Sequence, residues 1–330
     1  MKTLILLLLT QFGCVDSLVH QAISDSLIPG AVVCYVEADT IAFLKAYGNK
    51  AIYPQEEKMT VNTIFDLASV SKSTGAGTVA MNLIRAGRLS ADDKVNRYLP
   101  AFEGDATIRH LLTHTSGLPS YMTATILDSI YQVRGINRGM TRPQFLMDTI
   151  CRCKRLSAPG ETYRYSCLNF ITLQNVVQTI TRTPLDRLRP YYRPITDPMD
   201  SVVRQIAPTE VQPDGSVLRG QVHDPLARIM NEGISGNAGI FMTASQLSEW
   251  CVWFMSIPQE QREQACNCGL WIDDDGTLGH TGYTGTSIRL DPATHRAVII
   301  LTNRVHPVDK GNLRDLRHGV EGALLGGKYL

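Results

Sequence analysis

A serine three residues ahead of a lysine, Ser69-Val70-Ser71-Lys72, sets the tightest condition on how this 330-residue chain folds. Residues i and i+3 meet on the shared face of a helix, so Lys72 reaches the Ser69 hydroxyl if a helix begins near Ser69. The neighbouring residues predict that helix. Phe65-Asp66-Leu67-Ala68 leads in, and Ala76, Val79, Ala80, Leu83 and Ile84 recur at helical spacing as an apolar stripe. The spacing thus joins a nucleophile to a proton acceptor. Partial positive charge at a helix N-terminus disfavours an ammonium, so Lys72 is expected to have a lowered pKa, as a working base needs. The N–H groups exposed at the same point stabilise a developing oxyanion. These features point to a covalent serine hydrolase.

Two further segments extend the pattern. Gly160 to Phe170 ends a loop, carries Tyr165-Ser166-Cys167 and leads into an apolar helix, while Gly279-His280-Thr281-Gly282-Tyr283-Thr284-Gly285 interrupts two strand-like runs. The order Ser-x-x-Lys, Tyr-Ser-x, His-Thr-Gly resembles the serine β-lactamase-related and penicillin-binding superfamily, which includes class C β-lactamase-like esterases and D-Ala-D-Ala peptidases. His110 to Pro119, Val222-His223-Asp224 and Gly236 to Phe241 are similar to other signatures of that family, so the resemblance runs from about Asp16 to the C-terminus.

The resemblance implies an α+β fold: an antiparallel sheet flanked by helices, an inserted helical lobe, and an active site in the cleft between them. It implies Ser69 as nucleophile, Lys72 as the base that activates it, and Tyr165 as a second proton-transfer group serving the leaving atom. His280 is expected on an edge strand facing the cleft. The backbone N–H of Tyr283, paired with that of Ser69, is expected to form the oxyanion hole. Gly282 lacks a Cβ and would let this strand approach the substrate. Two positions depart from the family pattern. His280, with an ordinary pKa of about 6.5, is mostly neutral at pH 7 where lysine would hold a fixed charge for a substrate carboxylate. Cys167 offers a weak donor and weak acceptor in place of an amide or carboxylate that binds substrate, and Asn169 points elsewhere on the helix. His114 and the His223-Asp224 pair are read as loop formers. Arg182 to Pro208, rich in proline, lacks the turn that relatives carry there.

Composition narrows the class further. A 44% hydrophobic content builds a sizeable core, and a net charge of +1 with 19% charged residues leaves no footprint for nucleic acid or an anionic membrane. No repeat of solenoid type is visible. Lys2 followed by Leu4 to Leu9 reads as a secretory signal core, too short to span a bilayer. Residues 1–14 are therefore expected to be a signal segment, with a single catalytic domain over 15–330 and a helical insertion at about 89–221. Gly13-Cys14 adds the prospect of a lipid anchor, although Gln11 stands where lipoprotein signals usually have leucine. Asp16 or Ser17 is expected to cap the first helix of the mature domain. Eight cysteines include two Cys-x-Cys pairs, Cys151/Cys153 and Cys266/Cys268, read as disulfide partners or buried thiols in preference to a metal site.

Along the chain, Gly30 to Glu37 and Asp39 to Tyr47 read as a hairpin. Thr107 to Leu112, Arg142 to Cys151 and Asn169 to Thr181 read as helices. Ser287 to Leu290 and Arg296 to Thr302 read as strands, and Leu313, Leu316, Val320 and Leu324 mark a closing helix. The preferred function is an exported, cofactor-independent serine hydrolase of the cell envelope that acts on a small ester, amide or peptide. Carboxylesterase or D-amino-acid peptidase action is preferred to lactam hydrolysis. The alternative is a sensor module acylated by β-lactams with little turnover, or a weak β-lactamase.

Overall fold

The computed structural model describes residues 2–192 and 201–326, with side chains from residue 11 onward. Its centre is a sheet whose core strands are apolar on both faces. In β1 (Gly30–Glu37), Ala31, Val33 and Tyr35 point to one side and Val32, Cys34 and Val36 to the other, and all six are buried. This period of two explains why the run lacks polar alternation. The hairpin partner β2 (Thr40–Ala51) pairs with β1 from Gly30↔Gly48 to Glu37↔Thr40, with an irregularity at Tyr35/Val36.

After the short strands β3 (Glu57–Lys58) and β4 (Phe65–Asp66), the chain enters the Ser69 turn and α2 (Thr78–Arg85). The helical lobe then follows as α3 (Ile108–Leu112), α4 (Ala124–Ile130), α5 (Arg142–Arg152), α6 (Cys167–Thr181) and α7 (Leu185–Leu188). Local chemistry sets several of these starts. Thr107 and His110 close a reciprocal cap on α3, and Thr141 and Gln144 do so on α5, where Pro143 occupies the first turn. The chain returns through β5 (Phe241–Met242), α8 (Ala244–Ser256) and α9 (Gln259–Gln264). It ends in β6 (Trp271–Ile272), β7 (Leu278–Thr281), β8 (Ser287–Asp291), β9 (Arg296–Thr302) and α10 (Arg314–Leu325).

The seven-stranded sheet has the order β3-β2-β1-β9-β8-β7-β6, antiparallel throughout, and β4 pairs separately with β5. One face is covered by α1 (Lys2–Ser24) and α10, whose Val15, Val19, Leu316, Val320 and Leu324 pack on Val33, Val298 and Ile300. The other face meets α8 and the lobe through Val32, Ile299, Leu301, Leu247 and Phe254. Each such aliphatic side chain contributes about 1.5–3 kcal/mol when fully buried. The expected α+β architecture with both terminal helices on one face is observed.

One local reading needs correction. The first helix is unbroken from Lys2, so Asp16 and Ser17 do not cap it. Asp16 instead pairs with Lys45 at 2.8 Å and accepts from Tyr47 at 2.7 Å, and Ser17 Oγ donates to Gly13 O. Residue 14, the expected signal boundary, lies inside this helix, and Gln11 and Phe12 already touch the domain at Leu324 O and Phe43. Among the described residues no helix is long and apolar enough to cross a membrane. In the atypical 182–208 stretch, Arg182 closes α6 with a left-handed backbone and Tyr192 bridges Ile240, while residues 193–200 lie outside the described residues. All eight cysteines are free thiols, and among the described residues the Cys-x-Cys pairs join no metal-binding cluster.

Candidate active site

The segment around Ser69 is tighter at its start and wider further on than a regular helix. Ala68–Val70 forms a 3₁₀ turn, Ser73–Gly77 a π turn with Gly75 outside helical geometry at φ −103°, ψ −105°, and only then does α2 begin. A Cβ on Gly75 would lie 2.2 Å from the Tyr192 hydroxyl, so the buried tyrosine crowds the backbone there. The predicted stripe of Ala76, Val79, Ala80, Leu83 and Ile84 is nonetheless buried as one face.

Ala68 has φ +46°, a left-handed conformation that costs a non-glycine residue on the order of 1–3 kcal/mol and persists where surroundings enforce it. The enforcement is visible. Ala68 N donates to Asp66 Oδ1 at 2.8 Å, while Asp66 Oδ2 accepts from His223 N at 2.7 Å. Thr284 Oγ1 donates to Asp66 O and Thr286 Oγ1 to Leu67 O, at 2.8 and 2.9 Å. The nucleophile turn is therefore fastened to both the 222–224 loop and the β7–β8 turn. Burial raises the Asp66 pKa, against the His223 and Ala68 N–H groups that favour its anion.

Lys72 is fully buried behind Ser69. Its Nζ donates to Ser69 Oγ at 2.9 Å and to Asn237 O at 3.0 Å, so the i,i+3 geometry is realised. The expected pKa direction is reversed. Burial pushes it down, but the electrostatic influence of Cys167 and Tyr165, and a hydrogen bond with Tyr165, outweigh that cost and leave it raised. The helix-terminus effect is outweighed by side chains brought to the ammonium from α6 and the loop before it.

The Tyr165 ring centroid lies 5.0 Å from Lys72 Nζ. Ser166 starts α6 by accepting from Leu168 N through its Oγ, which itself donates to Pro119 O, and this places Cys167 in the first turn. Asn169 does point away, its amide joining His114 Nδ1 at 3.1 Å and accepting from Ser116. His114 Nδ1 also accepts from Ser166 N at 3.1 Å, so the ring proton belongs on Nε2. Burial, with Lys72 and His280 nearby, pushes the His114 pKa down to about 3.

His280 sits on β7 opposite Ile288, with Nδ1 donating to Thr281 O at 2.9 Å. It is buried, and desolvation together with Lys72 lowers its pKa to about 3. Gly282 follows. A Cβ there would lie 2.2 Å from Thr286 Oγ1 and 2.5 Å from Leu67 O, so the close approach this glycine permits is to the Ser69 turn itself. Tyr283 stacks on His223 at 5.6 Å and lies under the Arg304 guanidinium at 4.9 Å.

A cleft of about 820 Å³ opens here, lined by Ser69, Tyr165, His280, Gly282 and Tyr283; Cys167 stands against Lys72 and is not among its lining residues. Arg304 and Arg317 also line it. Arg304 is engaged by Asp309 and Gly311 O, and Arg317 donates to Thr286 O at 3.2 Å. The β-lactamase family model matches residues 15–321. The chain belongs to the β-lactamase family. Membership places it among serine hydrolases of that fold.

Similar proteins span several activities. An Escherichia coli (strain K12) protein named "Putative D-alanyl-D-alanine carboxypeptidase" is 26% identical, over 84% of this chain and 79% of that protein. Among solved structures, EstCE1, described as a hydrolase with promiscuous acyltransferase activity, superposes with a TM-score of 0.73 at 22% identity, covering 96% of this chain and 98% of that one. A class C β-lactamase gives 0.71 at 20% identity, covering 96% and 97%. These likenesses agree with the superfamily resemblance drawn from the motifs.

Sequence reasoning passed over Asp66, although a carboxylate three residues before the serine was visible in Phe65-Asp66-Leu67-Ala68-Ser69. It also missed Asn237 as a Lys72 acceptor and Trp271 as a cleft wall. The first lies within the Gly236 to Phe241 signature. The second carried no local signal.

Proposed function

We propose that this β-lactamase-family enzyme cleaves a small ester or amide through an acyl-enzyme on Ser69, in the manner of a carboxylesterase or D-amino-acid peptidase. The observation that supports this most is the 2.9 Å contact from fully buried Lys72 Nζ to Ser69 Oγ at the floor of the cleft. With Lys72 held as an ammonium it donates to Ser69 Oγ and orients it, and the proton-transfer role passes to Tyr165, whose ring centroid lies 5.0 Å from Nζ. Tyr165 takes the Ser69 proton as Oγ attacks the carbonyl carbon, and returns it to the leaving atom when the tetrahedral intermediate collapses. Water then enters and gives a proton to Tyr165 as it attacks the acyl carbon. Collapse of the second tetrahedral intermediate breaks the ester bond to Ser69, whose Oγ takes that proton back from Tyr165 as the acid leaves. Backbone N–H groups of Ser69 and Tyr283 would carry the oxyanion charge.

Ester or peptide cleavage is favoured over efficient lactam hydrolysis by the uncharged His280 and by Cys167. Export to the cell envelope is proposed from Lys2 and Leu4 to Leu9, with lipidation at Cys14 as the finer version. Intact mass after addition of a penicillin and, separately, of an activated short-chain ester tests the reading. Turnover of the ester with no lasting adduct supports the enzyme. A persistent penicillin adduct without ester turnover would instead support an acylated sensor. Fractionation of the native host tests export, and full-length protein retaining Met1 in the cytosol would refute it.

A further inference from the structure

Five rings follow one another along the cleft: Trp271, His280, Tyr165, His114 and Tyr163. Their successive centroid separations are 5.5, 6.2, 4.5 and 6.1 Å, and all five line the cleft. Trp271 at one end is held in place by a glycine. Trp271 and Gly279 are cross-strand partners, and a Cβ on Gly279 would come within 2.8–3.0 Å of the indole atoms Cζ2, Cε2 and Nε1. The indole therefore packs directly on the β7 backbone at Gly279, beside His280. Tyr163 at the other end is 66% exposed and meets His114 edge-on.

The row offers ring faces and edges without a fixed charge. Both of its histidines stay neutral across the physiological range, because burial and Lys72 lower each pKa to about 3. The cleft's guanidinium groups are already engaged, Arg304 by Asp309 and Gly311 and Arg317 by backbone carbonyls. Leu270 and Ile272 continue the apolar wall beside Trp271. Tyr165 stands in the middle of the row. As the group that returns a proton to the leaving atom, it fixes which half of the substrate lies along these rings.

We propose that the ring row is a leaving-group site, and that the preferred substrates are uncharged esters whose alcohol half is a flat, apolar or aromatic group. The inference rests on the acyl-enzyme reading above, with Tyr165 on the leaving-group side. Stacking of such a group on Trp271 and Tyr163 follows the offset and edge-on preferences of aromatic pairs.

The test uses the full-length chain and acetate esters of ethanol, benzyl alcohol, 2-naphthylmethanol and 4-carboxybenzyl alcohol, with alcohol release followed by chromatography. These alcohols have similar leaving ability, so differences in kcat/KM report binding to the departing half. The naphthylmethyl ester is expected to exceed ethyl acetate by about tenfold or more, equivalent to about 1.4 kcal/mol, with the carboxybenzyl ester below the benzyl ester. Trp271→Ala, and independently Gly279→Ala, should lower the naphthylmethyl-to-ethyl ratio several-fold, with fluorophosphonate labelling confirming that each variant is folded. A wild-type ratio near one, or a ratio unchanged within about twofold in both variants, overturns the leaving-group site and leaves hydrolysis standing. A preference seen only when the acyl half is enlarged, as in ethyl 2-naphthylacetate, also overturns it. Loss of all ester turnover together with absence of labelling in the wild type overturns the acyl-enzyme reading and this inference with it.

Discussion

Gly282→Ala probes the junction between the nucleophile turn and the end of β7. The added methyl would stand 2.5 Å from Leu67 O and 2.2 Å from Thr286 Oγ1. Contacts of a real Cβ essentially never fall below 3.0 Å, so the backbone around Gly282 must retreat from Leu67 by at least half an ångström. Thr286 must also rotate away, giving up its 2.9 Å bond to Leu67 O. Overpacking of this kind costs about 1–3 kcal/mol, and the lost buried hydrogen bond adds about 1 kcal/mol. The retreat carries Tyr283 N–H with it, and removing one oxyanion donor lowers kcat by about 10²–10³. Denaturant unfolding reads the first effect, and the rate of fluorophosphonate labelling with steady-state ester hydrolysis reads the second. A variant with wild-type stability and wild-type acylation would refute the claim that Gly282 holds the end of β7 against the Ser69 turn. Lost stability with normal acylation would refute the proposed oxyanion role of Tyr283 alone.

Other outcomes can be checked directly. Ser69→Ala should abolish fluorophosphonate labelling, and full labelling that maps to Ser71 or Ser73 would show the nucleophile to be misassigned. Lys72→Ala should slow acylation by about 10²-fold, because Ser69 Oγ loses the donor that orients it, and a wild-type rate would remove Lys72 from the mechanism. Since His280 and His114 stay neutral down to about pH 3, the ratio of kcat/KM for an anionic substrate over a neutral analogue should be flat between about pH 5.5 and 8.5, and His280→Lys should raise it. A ratio that climbs with acidity in the wild type would contradict the buried, uncharged imidazole. The same two histidines bind protons in the unfolded chain below about pH 6.5 but not in the native one, so their contribution to stability is complete above that value and is lost as pH falls toward 3. Glu321, raised to about 7 by burial, acts with opposite sign between its ordinary value and 7. His280→Asn should therefore make the acid-side fall of stability shallower, as measured by denaturant unfolding at stepped pH. Thiol titration of the denatured, unreduced full-length chain made without export should find all eight cysteines, and a count that rises on reduction would show disulfides.

The parts of the fold set by local pattern were legible in the sequence. The continuous apolar run of Gly30 to Glu37, the stripe from Ala76 to Ile84 and the spacing of Leu313 to Leu324 each encode burial, and each is found where it was read. The contact of Ser69 with Lys72 was legible for the same reason, since three residues on a helical turn fix it. Features created by distant segments were not. The left-handed Ala68 depends on Thr284, Thr286 and His223, which arrive more than a hundred residues later. The direction of the Lys72 pKa depends on Cys167 and Tyr165 from α6 and the loop before it. The seat of Trp271 depends on a missing side chain across a strand pair. Asp16 misled because an N-cap residue and a partner for Lys45 and Tyr47 look alike in one dimension.

The order of the sheet has a consequence for how the chain comes into being. Strand β1, made first, is flanked on one side by its hairpin mate and on the other by β9, with Ala31 set against Thr302. The helix that covers it, α1, rests on α10 at the opposite end of the polypeptide. During synthesis the ribosome thus releases an apolar ribbon whose closing partner is among the last residues to emerge. Contacts this remote in sequence form slowly and leave unpaired edges exposed meanwhile. A stop codon before β9 would leave the first strand paired on the β2 side alone, with its other edge open.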